Sequence, residues 1–256
     1  MEVEDGRRVV GGGLSDRGDG TWWVTGLDHS EEPPWWEWYT GPRVRGFVRS
    51  PDGSFEKKLW WIDPGDTRSV IDPQWYGDTL WFVSRPPATT GDPADVDEPM
   101  KLRTAPGGAV LYEAMGLADP SPVTFQGTRH VFATQLGRGV VHFTGDPLQP
   151  VRNWGGFTVP YATVVDQELW VLAQIVQNGR RYPMVNRSTD ARSWSGWKPL
   201  LPMLPQGPNT CTSPVMGRDG HELWLLCVDE RVGHGPGAPP PERKGRSVGQ
   251  IEGRFD

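Results

Sequence analysis

Short apolar runs alternate with tight polar breaks along this chain, and one phrase is written five times. Its clearest copies are IDPQWYGDTLWFVSR, from Ile71 to Arg85, and ADPSPVTFQGTRHVFAT, from Ala118 to Thr134. Looser copies are VPYATVVDQELWVLAQ (Val159 to Gln174), TSPVMGRDGHELWLLCVDE (Thr212 to Glu230) and GGLSDRGDGTWWVTGLD (Gly12 to Asp28). Each reads as strand, tight polar turn, strand, with LWFVS, HVFAT and WVLAQ as second strands. Superposing Trp23, Trp81, His130, Trp170 and Trp224 gives steps of 58, 49, 40 and 54 residues. No stretch holds a helical period over three turns.

Repeats of 40–60 residues, each able to supply about four short strands, predict β-propeller blades. The expected fold is all-β: one domain of five four-stranded antiparallel blades around a central channel. Blades are expected at about 11–64, 68–115, 117–155, 157–203 and 210–256, the last completed by an N-terminal strand within residues 1–10. A β-sandwich is the alternative, and it predicts less regular spacing. In a propeller the innermost strands line the channel, and their starts share one face with the loops joining second to third strands.

Composition narrows the function. At 256 residues the chain can bury a sizeable core, and its 33 glycines and 26 prolines punctuate apolar runs instead of forming tracts. A net charge of -6 gives no basic footprint for nucleic acid. Apolar runs are too short for a membrane span, and MEVEDGRRVV has no signal-peptide character, so a cytoplasmic setting is the expectation. The expected partner is a small molecule, a saccharide among the candidates, with no cofactor and no metal. Five scattered histidines lack metal-ligand spacing, and no nucleophile elbow or phosphate loop is present.

Asp72 and Asp119 sit at matched places in neighbouring repeats. Two such carboxylates can converge on one ligand, one ionised and one with a raised pKa. The plainer reading is that Asp-Pro starts the strand, with Asp capping local N–H groups. The tryptophan-rich segment DHSEEPPWWEWYTGP (Asp28 to Pro42) is expected on the same face. Its Trp35, Trp36, Trp38 and Tyr39 suit sugar stacking or a plug over the propeller, and Glu37 and His29 are candidate acid/base groups. Trp75, His130 and Tyr161 join the candidate substrate-binding set, His130 filling the tryptophan place of its repeat as a core or channel residue. The acidic loop RPPATTGDPADVDEPMK brings Asp92, Asp95, Asp97 and Glu98; it reads as a solvated loop in which Glu98 is a further candidate acid. Cys211 and Cys227 are expected opposite each other across a turn centred on Asp219, bridged in an oxidising setting and free thiols in a reducing one.

Asp-Pro, a turn and an apolar strand, in this five-unit frame, resemble the five-bladed glycoside hydrolases: the arabinanase/β-xylosidase group and the invertase/levansucrase group. The resemblance implies three acids at inner-strand starts: an Asp base or nucleophile, an Asp that positions substrate or tunes pKa, and a Glu general acid. Asp72 matches the first and Asp119 the second. The third has no counterpart, because the matching places read Thr158-Val159-Pro160 and Thr212-Ser213-Pro214. Two other classes therefore stay open: a sugar-binding propeller without catalysis, and a biosynthetic isomerase, cyclase or lyase using an aromatic-lined pocket. RSTDARSW (Arg187 to Trp194) resembles the Asp-box of sialidase-like propellers, with RSPDGSF (Arg49 to Phe55) a partial copy. That resemblance implies Asp52 and Asp190 bonded to turn backbone and Trp194 packed between sheets.

Overall fold

The computed structural model describes backbone at residues 8–10, 14–16, 22–29, 43–49, 55–61, 69–77, 79–85, 98–105, 108–177, 180–200, 211–219, 222–229 and 248–252. Side chains are described at 72–74, 76–77, 79–85, 98–105, 108–177 and 181–200. All regular structure among these residues is strand. The first sheet holds β1 (Arg8–Val10), β2 (Leu14–Asp16), β3 (Trp22–His29), β4 (Arg43–Arg49) and β5 (Phe55–Trp61). The second runs β6 (Ser69–Tyr76), β7 (Thr79–Arg85), β8 (Met100–Ala105), β9 (Val110–Ala114). The third runs β10 (Leu117–Phe125), β11 (Thr128–Gln135), β12 (Gly139–Thr144), β13 (Gln149–Trp154). The fourth runs β14 (Phe157–Val165), β15 (Glu168–Gln177), β16 (Arg180–Ser188), β17 (Lys198–Pro199), and the last β18 (Cys211–Asp219), β19 (Glu222–Asp229), β20 (Val248–Glu252). Apart from β1, which pairs with β3, strands pair antiparallel with their sequence neighbours, as short connections require.

The continuous apolar runs now have a cause. Second strands are buried on both faces: Trp81 and Val83 pack with Val131 and Ala133 between the second and third sheets, while Phe132 packs with Leu169, Val171 and Ala173 between the third and fourth. A strand covered on both sides has no polar face to alternate with. Phe82, Phe132 and Phe143 are fully buried, each worth about 1.5–3 kcal/mol in removed apolar surface. The outer strand β13 is exposed along nearly its whole length.

First and second strands are joined by two-residue turns, between Phe125 and Thr128 and between Val165 and Glu168 for example. At the other end of each first strand the register slips by one residue. The slips fall between Ile71 and Gln74, Ala118 and Ser121, Thr158 and Tyr161, and Thr212 and Val215. Asp-Pro thus forms a bulge inside the strand, not its start as expected, because a bulge is where a strand tolerates a residue without an N–H. Asp72, Asp119 and Val159 hold φ of 48°, 51° and 52° there.

The first sheet carries the same slip in another form. Val10 pairs with Leu27 and Leu14 with Val24, so β1 and β2 lie along the same edge of β3 with registers offset by one residue. The N-terminal strand therefore does not complete the last sheet as expected; β20 pairs with β19 instead. The cysteine expectation is corrected by the turn. Asp219 pairs with Glu222 and is not the turn centre, so Cys211 pairs with Asp229 and Cys227 falls opposite Ser213-Pro214.

First strands lie side by side: β2 against β6, β6 against β10, β10 against β14, β14 against β18, and β18 against β2. Their free edges carry N–H groups that need acceptors. Side-chain oxygens from the preceding sheet supply them. Asp72 Oδ2 accepts from Asp119 N–H (3.1 Å), Tyr76 Oη from Thr124 N–H (2.6 Å), Ser121 Oγ from Ala162 N–H (2.8 Å) and Thr134 Oγ1 from Val159 N–H (2.8 Å).

Candidate active site

Asp72 and Asp119 stand on the bulges of adjacent first strands, each half-buried. Asp72 Oδ2 meets the backbone of Asp119, and Asp119 Oδ2 accepts from the Thr134 hydroxyl at 2.8 Å. Among the described residues neither Oδ1 has a hydrogen-bond partner. Burial raises both pKa values. Asp119 is pushed up to about 8 by desolvation and then by the Asp72 charge, against the Thr134 hydrogen bond that lowers it. Asp72 is raised by desolvation, opposed by the Asp119 N–H. Two carboxyls this close in a poorly solvated place cannot both ionise freely, so the pair keeps a proton at neutral pH.

The other sequence candidates scatter. Glu98 is exposed just before β8, whose Lys101 pairs with Ser84, so it belongs to the same end of the second sheet as Asp72. Tyr161 is buried directly after the third bulge. His130 takes the core place of its two expected places, away from the substrate-binding set. It is buried in the core, four residues along β11 from Thr134, about 13 Å at strand rise. Its Nδ1 lies 2.9 Å from His142 Nε2, in a cluster with Phe125 and Phe132, and burial lowers the pKa of both rings, His142 to about 3. A neutral, paired, buried imidazole fills core space and does not reach the aspartates. Trp35, Trp36, Glu37, Trp38 and Tyr39 lie outside the described residues, as do Asp52, Asp92, Asp95 and Asp97 and the side chains of His29 and Trp75. Among the described residues no cluster of His, Cys, Asp and Glu converges as metal ligands.

Thr134 is the site residue that sequence reasoning missed. Its signal is a lone hydroxyl at the polar end of HVFAT, opposite Ala118 and one residue from the bulge. At the far end of the fourth sheet, Asp190 does something different. Its Oδ1 accepts from the N–H groups of Arg192 (2.8 Å) and Ser193 (2.7 Å) and from Ser188 Oγ (3.1 Å), closing the turn that delivers Trp194 to the rings of Phe132, His142 and Trp154.

Sequence comparison finds no matching family model and no matching curated protein. Structure comparison does. An exo-1,5-α-L-arabinanase from a bovine ruminal metagenomic library aligns with 100% of this chain and 97% of its own, at TM-score 0.61 and 10% identity. A thermostable family-43 glycoside hydrolase aligns over 95% and 88%, at 0.61 and 11%. An exo-β-1,3-galactanase from Phanerochaete chrysosporium, solved with galactose, aligns over 89% of this chain at 0.60 and 12%; the match spans 58% of the galactanase chain. What the chain shares with these hydrolases, at such identity, is their all-β fold of antiparallel four-stranded sheets.

Proposed function

We propose that this chain is a five-bladed β-propeller that holds a saccharide or glycoside between Asp72 and Asp119 and acts on it as a glycosidase-like acid/base pair. The contact series of first strands returning from β18 to β2, and the same bulge in four sheets, support the blade number. The turn closed by Asp190 supports the Asp-box resemblance. One observation carries the chemistry. The bulge accepts a β-branched valine at φ 52°, so the backbone does not demand aspartate. Two neighbouring bulges nonetheless carry carboxyls whose burial costs free energy, and such local cost marks functional sites.

In this reading Asp119, protonated at neutral pH, donates to a leaving oxygen, and Asp72, when ionised, acts as base or nucleophile. That gives Asp119 a donor's part where the family resemblance implied a tuning one. Val159 in the third bulge, where those hydrolases are expected to carry a further acid, favours a second reading: sugar binding without turnover. Calorimetry with mono- and oligosaccharides, alongside release from aryl glycosides across pH 4–9, separates the two. Binding weakened about tenfold or more in Asp72→Asn, with turnover falling as pH rises past about 8, is the expected result. Binding without turnover selects the second reading, and the absence of both ends the proposal.

A further inference from the structure

We propose that Thr134 is the positioning residue of the carboxyl pair: its hydroxyl claims Asp119 Oδ2 and leaves Oδ1 as the oxygen that carries the proton toward a ligand. The inference rests on the Asp72/Asp119 reading but follows from the hydrogen-bond directions alone. A hydroxyl has one hydrogen to give. Val159 N–H, fixed in the bulge backbone, can only donate, and it lies 2.8 Å from Thr134 Oγ1. The Thr134 hydrogen is thereby left for Asp119 Oδ2, 2.8 Å away. Oδ2 accepts in that bond, so a protonated Asp119 keeps its hydrogen on Oδ1, which has no protein partner among the described residues.

Among the three sheets whose side chains are described, this arrangement is found in the third. Thr134 pairs with the residue before its bulge, Ala118; the matching residues are Val83, opposite Ile71, and Gln174, opposite Thr158. Val83 has no polar group, so Asp72 itself takes the next N–H. Gln174 gives its amide hydrogen to Thr158 at 3.2 Å. Thr134 alone of these three couples a carboxyl on one bulge to the backbone of the next. Among the described residues, Asp72 is the charge that bears on Asp119.

Carboxyl ¹³C titration of Asp119 by NMR, assigned through Asp119→Asn, tests this without any sugar. Thr134→Val should move the Asp119 midpoint up by about one pH unit and cost the Val159 amide about tenfold in exchange protection, while Thr134→Ser restores both. A folded Thr134→Val protein with an unmoved Asp119 midpoint overturns the proposal. Should that variant not fold, the wild-type protein still decides: the Val159 amide shift should follow the Asp119 midpoint, and a flat response overturns it. These readouts are indifferent to saccharide binding, so the positioning role and the sugar-site reading can fail separately.

Discussion

Asp119 and Asp190 are the same residue put to opposite uses. Asp190, on an exposed turn, gathers two backbone N–H groups and a serine hydroxyl, and those donors hold its pKa down to about 2. Asp119, on an inner bulge, has one hydroxyl donor against desolvation and a neighbouring carboxyl, and is pushed up to about 8. Donors and solvent make the first a structural anion. Burial beside a like charge makes the second a store for a proton. The carboxylate that holds the fold together and the one suited to chemistry are told apart by their donors, not by their sequence motif.

Replacing Asp119 gives the largest expected effect. Its folded pKa, about 8, stands above the ordinary value of 3.8, so folding retains a proton that the unfolded chain releases. The group's contribution is therefore intact below about pH 4, is lost as pH rises toward 8, and is level beyond. Asp119→Asn keeps an acceptor for Thr134 and removes that dependence. Denaturant unfolding should find the variant unchanged at pH 4 and more stable than wild type at pH 8, by about 2 kcal/mol after allowance for partial solvation. Equal stability at both pH values would show that the carboxyl is not strained by its site.

Asp190→Ala should behave in mirror image and more weakly. A depressed pKa contributes stability above the unfolded value, lost as pH falls through about 2. The variant should have a lower Tm than wild type at pH 7, and the gap should close on acidification toward pH 2. A gap that widens in acid would contradict the turn-closing role.

The difference between the two was only partly legible in the sequence. Five repeats and second strands were written in the spacing of Trp23, Trp81, His130, Trp170 and Trp224, because a strand buried on both faces leaves a continuous apolar run. Matched positions for Asp72 and Asp119 followed from the same repeat. Proline, however, suits both a strand start and a bulge, so the mid-strand slip was hidden. The true partner of Cys211 was missed because Asp219 pairs with Glu222 and is not the turn centre. Thr134 was beyond reach for another reason: its bonds join two sheets, and no local pattern encodes which backbone N–H stands opposite a given hydroxyl. For His130 the repeat left core and channel open, since a titratable ring in a strand says nothing of the His142 ring packed against it.

The smallest expected effect settles whether the bulge aspartates are backbone devices. Left-handed φ costs an ordinary L-residue roughly 1–2 kcal/mol, least for Asn and Asp, whose short polar side chains bond locally. If relief of that cost were the reason for Asp72 and Asp119, Val159 at φ 52° should be paying it in full. Val159→Asn then gains by relief and loses by giving up a half-buried apolar side chain, for a net rise of about 0.5–1 kcal/mol, nearly independent of pH. Val159→Ala, which sheds the side chain without easing φ, should be less stable than wild type. Asp119→Asn changes charge with the backbone preference held; Val159→Asn changes the preference with no charge involved. A pH-dependent gain in the first and a smaller, pH-independent gain in the second would place the cost of the inner aspartates in their carboxyls. A loss of stability in Val159→Asn would mean that the third bulge is relaxed around its valine, and the contrast between apolar and acidic bulges would then rest on packing alone.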